Sequence, residues 1–250
     1  MRALLPPPAD DSRGGVDLHE WYGSEWTDAG GVRLDMVASV DGAGSVAGTS
    51  AGLQTPGDNE VFAALRDLSD VILVGAGTAR AEGYRPAVPS AARQARRVAL
   101  GYPAIPRTAL VSGSLDIDPA SALIADAPPE ARTIVVTHAG ADPARRAALA
   151  ASAEVIVVGE SDVDLGAARA RLTDLGLRRI LCEGGPSLLA ALIEVGAADE
   201  LCLSATPWLV GPGPGRIAAG APWSPTPRRA ELTHLLEEDG ALFARYRLPR

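Results

Sequence analysis

Three strand-to-turn junctions contain the residues of this chain that could do chemistry. In residues 181–189, a short apolar run ends in Glu183 and turns through Gly184 and Gly185. Two glycines let the backbone turn tightly and approach a bulky ligand, and Pro186 favours a helix start whose N–H groups suit a phosphate. The junction predicts an acid at a strand end beside an anion-binding helix start. The local pattern also fits an ordinary tight turn with an exposed Glu183.

Two further junctions have a similar form. Residues 70–82 form an apolar strand that runs into a Gly-x-Gly-Thr turn at residues 75–78, and residues 34–42 form a strand that ends in Ser-x-Asp-Gly. The first turn differs from the dinucleotide fingerprint G-x-G-x-x-G, because no third glycine follows. Asp41 lies at a strand end, where open α/β sheets place ligands, although an aspartate that merely closes a turn gives the same pattern.

Composition restricts both the class of protein and the class of mechanism. The chain has 250 residues, of which 47% are hydrophobic and 22% charged, as expected for one large soluble α/β domain. Its formal charge of −8 argues against a nucleic-acid binder. All 23 basic residues are Arg, which excludes mechanisms that need a lysine Schiff base or a P-loop lysine.

Cysteine usage and the amino terminus predict a cytoplasmic protein without a membrane partner. Cys182 and Cys202 fall inside predicted strands with no metal-ligand spacing around them, so we predict buried thiols, no disulfide and no metal site. The amino terminus lacks a signal-peptide pattern, and no apolar run reaches the roughly 18 residues that a membrane helix needs. His19, His138 and His234 fit no triad and are expected at structural or surface positions.

Residues 1–30 are rich in Pro, Gly and Asp, which predicts an amino-terminal arm, and the apolar patterns that follow predict one domain over residues 31–250. Trp21, Tyr22 and Trp26 suggest that the arm packs onto its own domain or onto a partner subunit. Thr55 or Asp58 is expected to cap a helix. Residues 79–106 are expected to form a long loop that covers a site. Strands are predicted at 32–40, 71–74, 108–111, 133–137, 154–158, 179–183 and 200–206, helices at 143–151, 165–175 and 186–195, an irregular segment at 207–228, and a hairpin at 232–237 and 241–248.

This alternation predicts the fold class. Strands that alternate with helices imply a mostly parallel central sheet with helices on both faces, and the tail implies an antiparallel carboxyl-terminal hairpin. The chain is therefore expected to be an α/β protein.

The three junctions and the Ala-Asp-Glu-Leu run at residues 198–201, in this order and spacing, resemble the reductase domain of the riboflavin-biosynthesis protein RibD. They are most similar to its stand-alone relatives, the pyrimidine reductase family, which share the dihydrofolate-reductase-like fold. The resemblance runs from Val32 to Leu248. It implies an NADPH-dependent oxidoreductase that reduces the open-chain ribosylamino carbon of 5-amino-6-ribosylaminouracil phosphate to the ribitylamino product. It also implies a homodimer, to which the carboxyl-terminal hairpin would supply an edge.

The resemblance also implies roles for individual residues. The diphosphate is expected over the helix start at Pro186, and the nicotinamide near Gly184 and Glu183. Asp41 would orient or protonate the reacting nitrogen, with a pKa raised by partial burial, and Glu183 would accept hydrogen bonds from the substrate. The implied cofactor-binding residues are Thr78, Arg80, Glu82, Ser112, Gly184, Gly185, Pro186, Ser187 and Leu188. The implied substrate-binding residues are Val40, Asp41, Arg66 and Glu183.

Several of these roles have structural alternatives. Arg80, Arg85 and Ser112 are candidates for the 2′-phosphate of the cofactor, and a solvated loop position is the alternative for Arg80. Arg66 has the alternative of an exposed helix position.

The chain departs from RibD in two places. It lacks the deaminase zinc signature H-x-E followed by P-C-x-x-C, so we expect only the reductase activity. RibD proteins usually continue the Gly-Thr turn into Asp-Asp-Pro-x-Leu and a phosphate-binding Arg, whereas residues 82–86 here are Glu-Gly-Tyr-Arg-Pro, with Arg85 or Arg93 as replacements. Two alternatives stay open: a pterin substrate on the same fold, and a non-catalytic NADP-binding protein.

Overall fold

A ten-stranded sheet forms the centre of the computed structural model, which describes residues 1–6, 15–23, 26, 30–213, 215–220 and 226–249. The strands are β1 (Arg2–Leu5), β2 (Gly31–Ser39), β3 (Val71–Gly75), β4 (Arg107–Val111), β5 (Ile134–Thr137), β6 (Glu154–Val157), β7 (Arg179–Cys182), β8 (Glu200–Thr206), β9 (Glu231–Glu238) and β10 (Ala241–Arg247). Their order across the sheet is β1-β9-β10-β8-β2-β7-β3-β4-β5-β6. Strands β2 to β8 are parallel, and β1, β9 and β10 pair antiparallel.

Helices cover both faces of this sheet, which confirms the predicted α/β class. They are α1 (Leu18–Gly23), α2 (Pro56–Leu68), α3 (Ala76–Ala81), α4 (Ala91–Ala99), α5 (Ala122–Ala125), α6 (Pro143–Ala150), α7 (Leu165–Asp174) and α8 (Pro186–Glu194). One core cluster joins Leu34 to Leu172 and Leu189, under α7 and α8. A second joins Leu65 of α2 to Phe243 of the hairpin.

The start of α2 is fixed by a side-chain cap. Of the two predicted caps, Thr55 takes the position, and its Oγ1 accepts a hydrogen bond from the Asp58 N–H at 3.2 Å. Pro56 follows at the first helical position, where the missing N–H costs nothing. Leu65 and Leu68 then face the core.

The predicted loop over residues 79–106 is wrong, because this segment contains the end of α3 and all of α4. Residues 91–99 consist almost entirely of strong helix formers, and the neighbouring prolines flank the helix rather than interrupt it. The side chain of Arg97 joins α4 to the end of α2. Its fully buried guanidinium donates to the carbonyl groups of Asp67 and Ser69, both at 2.8 Å. Burial lowers the pKa of Arg97 to about 10.

The amino-terminal segment adds to the domain instead of standing apart from it. Strand β1, which the sequence did not predict, pairs with β9, and Tyr22 and Trp26 are buried in the second core cluster. Since β10 lies between β8 and β9, both strands of the hairpin are already paired. The hairpin therefore presents no open edge, contrary to the expectation for a dimer contact. The domain boundary at residue 30 stays a prediction.

Candidate active site

Two hollows meet at the edge of the sheet where the parallel strands end. Thr78, Gly185 and Pro186 line both of them. The first, with a volume of about 420 Å³, we call the acidic cavity after four of its lining residues, Asp35, Asp58, Glu82 and Glu183. The second, about 540 Å³, we call the glycine groove after Gly75, Gly77, Gly113 and Gly185. Ligands of open α/β sheets bind at this edge.

The glycine groove is built from turns that bring backbone atoms close together. The N–H of Gly75 donates to the carbonyl oxygen of Gly184 at 2.8 Å, which joins the turn after β3 to the turn after β7. Gly184 has a φ of +90°, which favours glycine. A Cβ on Gly185 would lie 2.1 Å from Oγ1 of Thr78, so this approach also requires glycine. Two of the three predicted junctions, residues 70–82 and 181–189, thus meet in one groove, whereas the junction at 34–42 contributes Asp35 to the acidic cavity.

Helix α8 points its amino terminus into this groove. Gly185 is the N-cap, Pro186 is the first helical residue, and Ser187 and Leu188 follow along the groove wall. The first N–H groups of a helix have no partner within it and carry its positive dipole end. The groove can therefore hold a diphosphate. The cofactor roles predicted for these residues stay predictions.

Glu183 is the centre of a buried ion pair in the acidic cavity. Arg66 donates from Nε to Oε1 and from Nη2 to Oε2, both at 2.7 Å, and the Tyr84 hydroxyl donates to Oε2 at 2.7 Å. Glu183 is only 8% exposed. Burial lowers the pKa of Arg66, but the adjacent carboxylate outweighs burial and raises that pKa above its ordinary value. The structure thus brings together Arg66 and Glu183, which the sequence analysis predicted, and adds Tyr84, which it missed.

Asp35 and Asp58 are two further acids of this cavity that the sequence analysis did not assign to the site. Asp35 lies in β2 one residue beyond Leu34, the last residue that pairs with β7, and Asp58 lies in the first turn of α2. Burial raises the pKa of both carboxyl groups. An aspartate between the apolar residues Leu34 and Met36 of β2 was the sequence signal for Asp35.

Val40 and Asp41 do not line the acidic cavity. Asp41 is exposed and accepts hydrogen bonds from the Ser39 hydroxyl and from the N–H groups of Val210 at 3.1 Å and Gly211 at 2.8 Å. The hydrogen bond from Ser39, followed by that from Gly211, lowers the pKa of Asp41. The predicted raised pKa is therefore wrong, because this carboxylate ties two loops together in solvent.

The candidates for phosphate contacts are dispersed. Arg80 does not line the groove and pairs with Asp116 at 3.1 Å. The Ser112 hydroxyl is buried and accepts from the Leu115 N–H at 3.0 Å.

Of the two predicted replacements for the phosphate-binding Arg, only one lies at the acidic cavity. Arg93 pairs with the buried Asp67 at 2.8 Å and does not line the cavity. Arg85 lines the cavity, and its exposed guanidinium pairs with Asp126 at 3.0 Å. Glu82 also lines this cavity rather than the groove, and its carboxylate accepts from the Ser50 N–H at 2.7 Å.

The far end of the glycine groove contains His138, which the sequence analysis expected at a structural or surface position. His138, which directly follows β5, lines the groove beside Gly113. Close by, Nη1 of Arg145 donates to the carbonyl oxygen of Ser114 at 3.1 Å. Arg145 lies in the helix predicted at residues 143–151, outside the three junctions, so no local motif marked it.

Other ligand types find little support in the described part of the chain. Cys182 and Cys202 are free thiols, and burial raises the pKa of each to about 12. No group of three His, Cys, Asp or Glu side chains among the described residues is placed to hold a metal ion. Within the same residues, no helix has the length and apolar character to cross a membrane. The cytoplasmic location stays a prediction.

The family of the chain follows from a comparison with known protein families. The model of the RibD C-terminal domain matches residues 31–237, which is most of the chain. The chain belongs to the RibD C-terminal domain family. The resemblance stated from the sequence motifs is thus confirmed.

Two curated relatives from archaea carry the same name, 2,5-diamino-6-ribosylamino-4(3H)-pyrimidinone 5′-phosphate reductase. The protein from Archaeoglobus fulgidus is 32% identical over 154 residues, which cover 62% of this chain and 69% of the relative. The protein from Methanothermobacter thermautotrophicus is 29% identical over 180 residues, which cover 72% of this chain and 79% of the relative.

Solved structures show the same fold. A pyrimidine reductase-like protein from Corynebacterium diphtheriae superposes with a TM-score of 0.84 at 29% identity, covering 94% of this chain and all of that one. The riboflavin biosynthesis reductase of Saccharomyces cerevisiae gives a TM-score of 0.63 at 16% identity, covering 88% of this chain and 90% of that one. The second likeness concerns the fold alone.

Proposed function

We propose that this chain is an NADPH-dependent reductase of a ribosylaminopyrimidine phosphate of riboflavin biosynthesis. The observation that carries the proposal is the junction of the two hollows: a groove suited to a dinucleotide opens into an acidic cavity at Thr78, Gly185 and Pro186. The names of the two archaeal relatives support the same reaction. The fold places both hollows at the edge where α/β proteins bind ligands.

The groove fits a reduced nicotinamide dinucleotide. The amide groups that follow Gly185 suit the diphosphate of the cofactor. The turn at Gly75 and Gly77 leaves room for the cofactor to lie against the protein backbone. Such a cofactor supplies the hydride. The chain itself would position the acceptor at the junction of the two hollows.

We infer that the cofactor is NADPH rather than NADH because Arg145 contacts the segment that directly follows the groove residue Gly113. Arg145 reaches the loop after β4 through the Ser114 carbonyl group, and His138 lines the adjacent wall. An Arg side chain suits a phosphate through charge-assisted hydrogen bonds. Neither Arg80 nor Arg145 lines the groove, but Arg80 pairs with Asp116 at 3.1 Å whereas the ion pair of Arg145 with Asp142 is longer, 4.0 Å. Arg145 therefore replaces Arg80 as our candidate for the 2′-phosphate.

The acidic cavity would hold the pyrimidine and its ribosyl chain. Arg66, Glu183 and Tyr84 form a rigid, mutually hydrogen-bonded wall, which orients the substrate without rearranging. Arg85 at the exposed rim suits the 5′-phosphate, because its guanidinium faces solvent and, among the described residues, pairs with Asp126 alone. C1′ of the open-chain imine would accept the hydride, and the nitrogen bonded to C1′ would take a proton from solvent.

A homodimer is part of this proposal. Leu232 and Leu242 of the hairpin are exposed apolar side chains, 37% and 39% accessible. Since the hairpin strands are already paired, the contact would use side chains on the sheet face rather than a strand edge. Sedimentation equilibrium should give twice the chain mass, and a single-chain mass would contradict this part of the proposal.

The reaction is tested with the purified protein, NADPH and the ribosylaminopyrimidine phosphate. We expect pyrimidine-dependent loss of the reduced nicotinamide absorbance, with deuterium from labelled cofactor appearing at C1′ of a ribityl product. Cofactor binding without oxidation by any pyrimidine would favour a non-catalytic NADP-binding protein. Oxidation with dihydrofolate alone would favour a pterin reductase.

A further inference from the structure

His138 presents one nitrogen of its ring to the glycine groove. Its Nδ1 lies 3.2 Å from the carbonyl oxygen of Glu160. A carbonyl oxygen can only accept a hydrogen bond, so Nδ1 carries the proton of the neutral ring. Nε2 lies over Gly113, where a Cβ would be 3.3 Å from that nitrogen. Within the described residues no hydrogen bond engages Nε2, which is therefore available to a ligand in the groove.

The position of His138 along the groove suits the adenosine half of a dinucleotide. The strands β7, β3, β4 and β5 are neighbours in that order. Adjacent strands are about 4.8 Å apart, so His138, which directly follows β5, lies about 14 Å along the sheet edge from the turn after β7. A dinucleotide with its diphosphate at the start of α8 and its nicotinamide at the junction with the acidic cavity would extend its adenosine toward His138.

The charged side chains around His138 are mixed in sign. Helix α6 and its cap contribute Asp142, Arg145 and Arg146, the loop after β6 contributes Glu160, Asp162 and Asp164, and residues 112–114 after β4 carry no charge. Asp142 and Asp164 accept hydrogen bonds from the first N–H groups of α6 and α7, and Asp162 accepts from the neighbouring Ser161 hydroxyl. No carboxylate among the described residues pairs with His138. The charge that holds a second proton on this ring must therefore come from a ligand.

We propose that His138 binds the 2′-phosphate of the cofactor in its protonated form, so that binding of NADPH takes up a proton and the preference over NADH weakens as the pH rises. The inference rests on the proposed function and names a residue that selects the cofactor. The proton comes from solvent and goes to Nε2. Arg145 would add a permanent charge, whereas His138 makes the preference depend on pH.

The two forms of the ring differ in what Nε2 can do. Imidazole is the side chain that changes charge between pH 5 and 8. In the neutral ring Nε2 has a lone pair, which would meet a phosphate oxygen without a donor between them. In the charged ring Nε2–H donates a charge-assisted hydrogen bond to that oxygen. The ribose hydroxyl of NADH can donate to the lone pair or accept from the N–H, so it suits both forms.

Isothermal titration calorimetry of the full chain with NADPH and with NADH tests this inference. For wild type, the Kd for NADPH should rise about tenfold from pH 6 to pH 8, since a hydrogen bond between charged groups has this size. The Kd for NADH should stay nearly constant. Titrations at pH 7 in buffers of different ionisation enthalpy count the protons, and NADPH should take up more of them than NADH.

Two variants of His138 isolate its contribution. His138→Gln should raise the Kd for NADPH about tenfold at pH 6 and change it little at pH 8, where the wild-type ring is neutral. The phosphate of the ligand itself titrates near pH 6, and this variant measures that background. His138→Arg should bind NADPH tightly at both pH values, because a guanidinium stays charged. An unchanged Kd for NADH shows that each variant is folded.

His19→Gln is the matched control, because His19 contacts Asp67 and does not line the groove. This variant should reproduce the proton uptake of wild type. Equal proton uptake by wild type and His138→Gln, or the same pH dependence of binding for NADPH and NADH, overturns the role of His138 and leaves the reductase intact.

The remaining outcomes separate this inference from the proposed function. Proton uptake that disappears in His138→Gln supports the inference even if no pyrimidine is reduced, in which case the proposed function fails. If neither nucleotide binds to wild type, both fail. If both His138 variants misfold, the comparison of NADPH with NADH in wild type still decides, because equal proton uptake for the two overturns the inference.

Discussion

The glycine groove and the acidic cavity share three residues but are built in opposite ways. The groove consists of backbone at local turns, namely the ends of β3 and β7 and the start of α8, where glycines allow close approach. The cavity consists of charged side chains from β2, α2, the segment after α3 and the end of β7. A binding surface made of backbone atoms can be predicted from short sequence motifs. A binding surface made of side chains from distant segments depends on how those segments pack together.

The two hollows therefore also differ in which interaction determines their binding free energy. Groove contacts depend on shape, because a Cβ fills space that a ligand needs. Cavity contacts depend on buried charge, because a carboxylate without its partner is costly. Substitutions in one hollow should therefore leave the other largely intact, and the following variants test that separation.

The largest effect is expected for Glu183→Gln. The change removes the charge that Arg66 and Tyr84 hold, so the substrate wall loses its fixed geometry, and kcat/KM should fall on the order of 10²-fold. The uncompensated Arg66 should also lower the free energy of unfolding by about 3 kcal/mol. Steady-state kinetics and urea denaturation measure the two effects.

The double variant Glu183→Gln/Arg66→Gln distinguishes stability from function. It should recover stability, since no buried charge is left alone, without recovering activity. Affinity for the reduced cofactor should be unchanged in both variants. A parallel loss of cofactor affinity would contradict the separation of the two hollows.

An intermediate effect is expected for Gly185→Ala. The new Cβ would meet Thr78 Oγ1 at 2.1 Å, and overpacking of this size costs about 1–3 kcal/mol, so the Kd for the cofactor should rise on the order of tenfold. Isothermal titration calorimetry gives the Kd. Gly166→Ala in α7 is the control, because the nearest atom to its Cβ lies at 3.4 Å, an ordinary contact.

A double-mutant cycle identifies the cause of that loss. In a Thr78→Ala background the clash is absent, so adding Gly185→Ala should cost little further affinity. Full additivity of the two losses would instead mean that the clash with Thr78 is irrelevant.

The smallest effect is a pH dependence of stability that Asp35→Asn should remove. The pKa of Asp35 is raised in the folded protein by burial, then by Asp58 and Glu183, above its ordinary value of 3.8. The folded state thus binds this proton more tightly, and the free energy of unfolding falls as the pH rises above 3.8 through the folded-state pKa. Relative to wild type, the variant should gain stability over that window in urea denaturation.

Asp41→Asn is the control with the opposite sign. The pKa of Asp41 is lowered by hydrogen bonds, so its contribution is present above the ordinary pKa and is lost as the pH falls. This variant should be less stable than wild type at neutral pH and should approach wild type on acidification. If both variants shift in the same direction, burial of Asp35 is not the cause.

Particular elements show how far the sequence could be followed. Strands β2 to β10 and helices α2, α6, α7 and α8 have clear sequence patterns, and their predicted positions agree with the structure within a few residues. Helix α4 was missed because four surrounding prolines suggested a loop. In the structure the buried side chain of Arg97 holds this helix against the domain. Strand β1 was missed because four residues are too few to show a periodicity, and the strand is defined by its pairing with β9.

The sequence by itself determined the order of strands and helices, the glycine turns and the family, because these depend on local backbone preferences and on a few adjacent residues. Only the tertiary structure decided the charge pattern of the cavity. It moved Asp41 out to solvent, enclosed Asp35 and Asp58, and joined Tyr84 to Glu183 across 99 positions of chain. Burial sets the pKa and the partner of a carboxyl group, and burial is a property of the packed molecule.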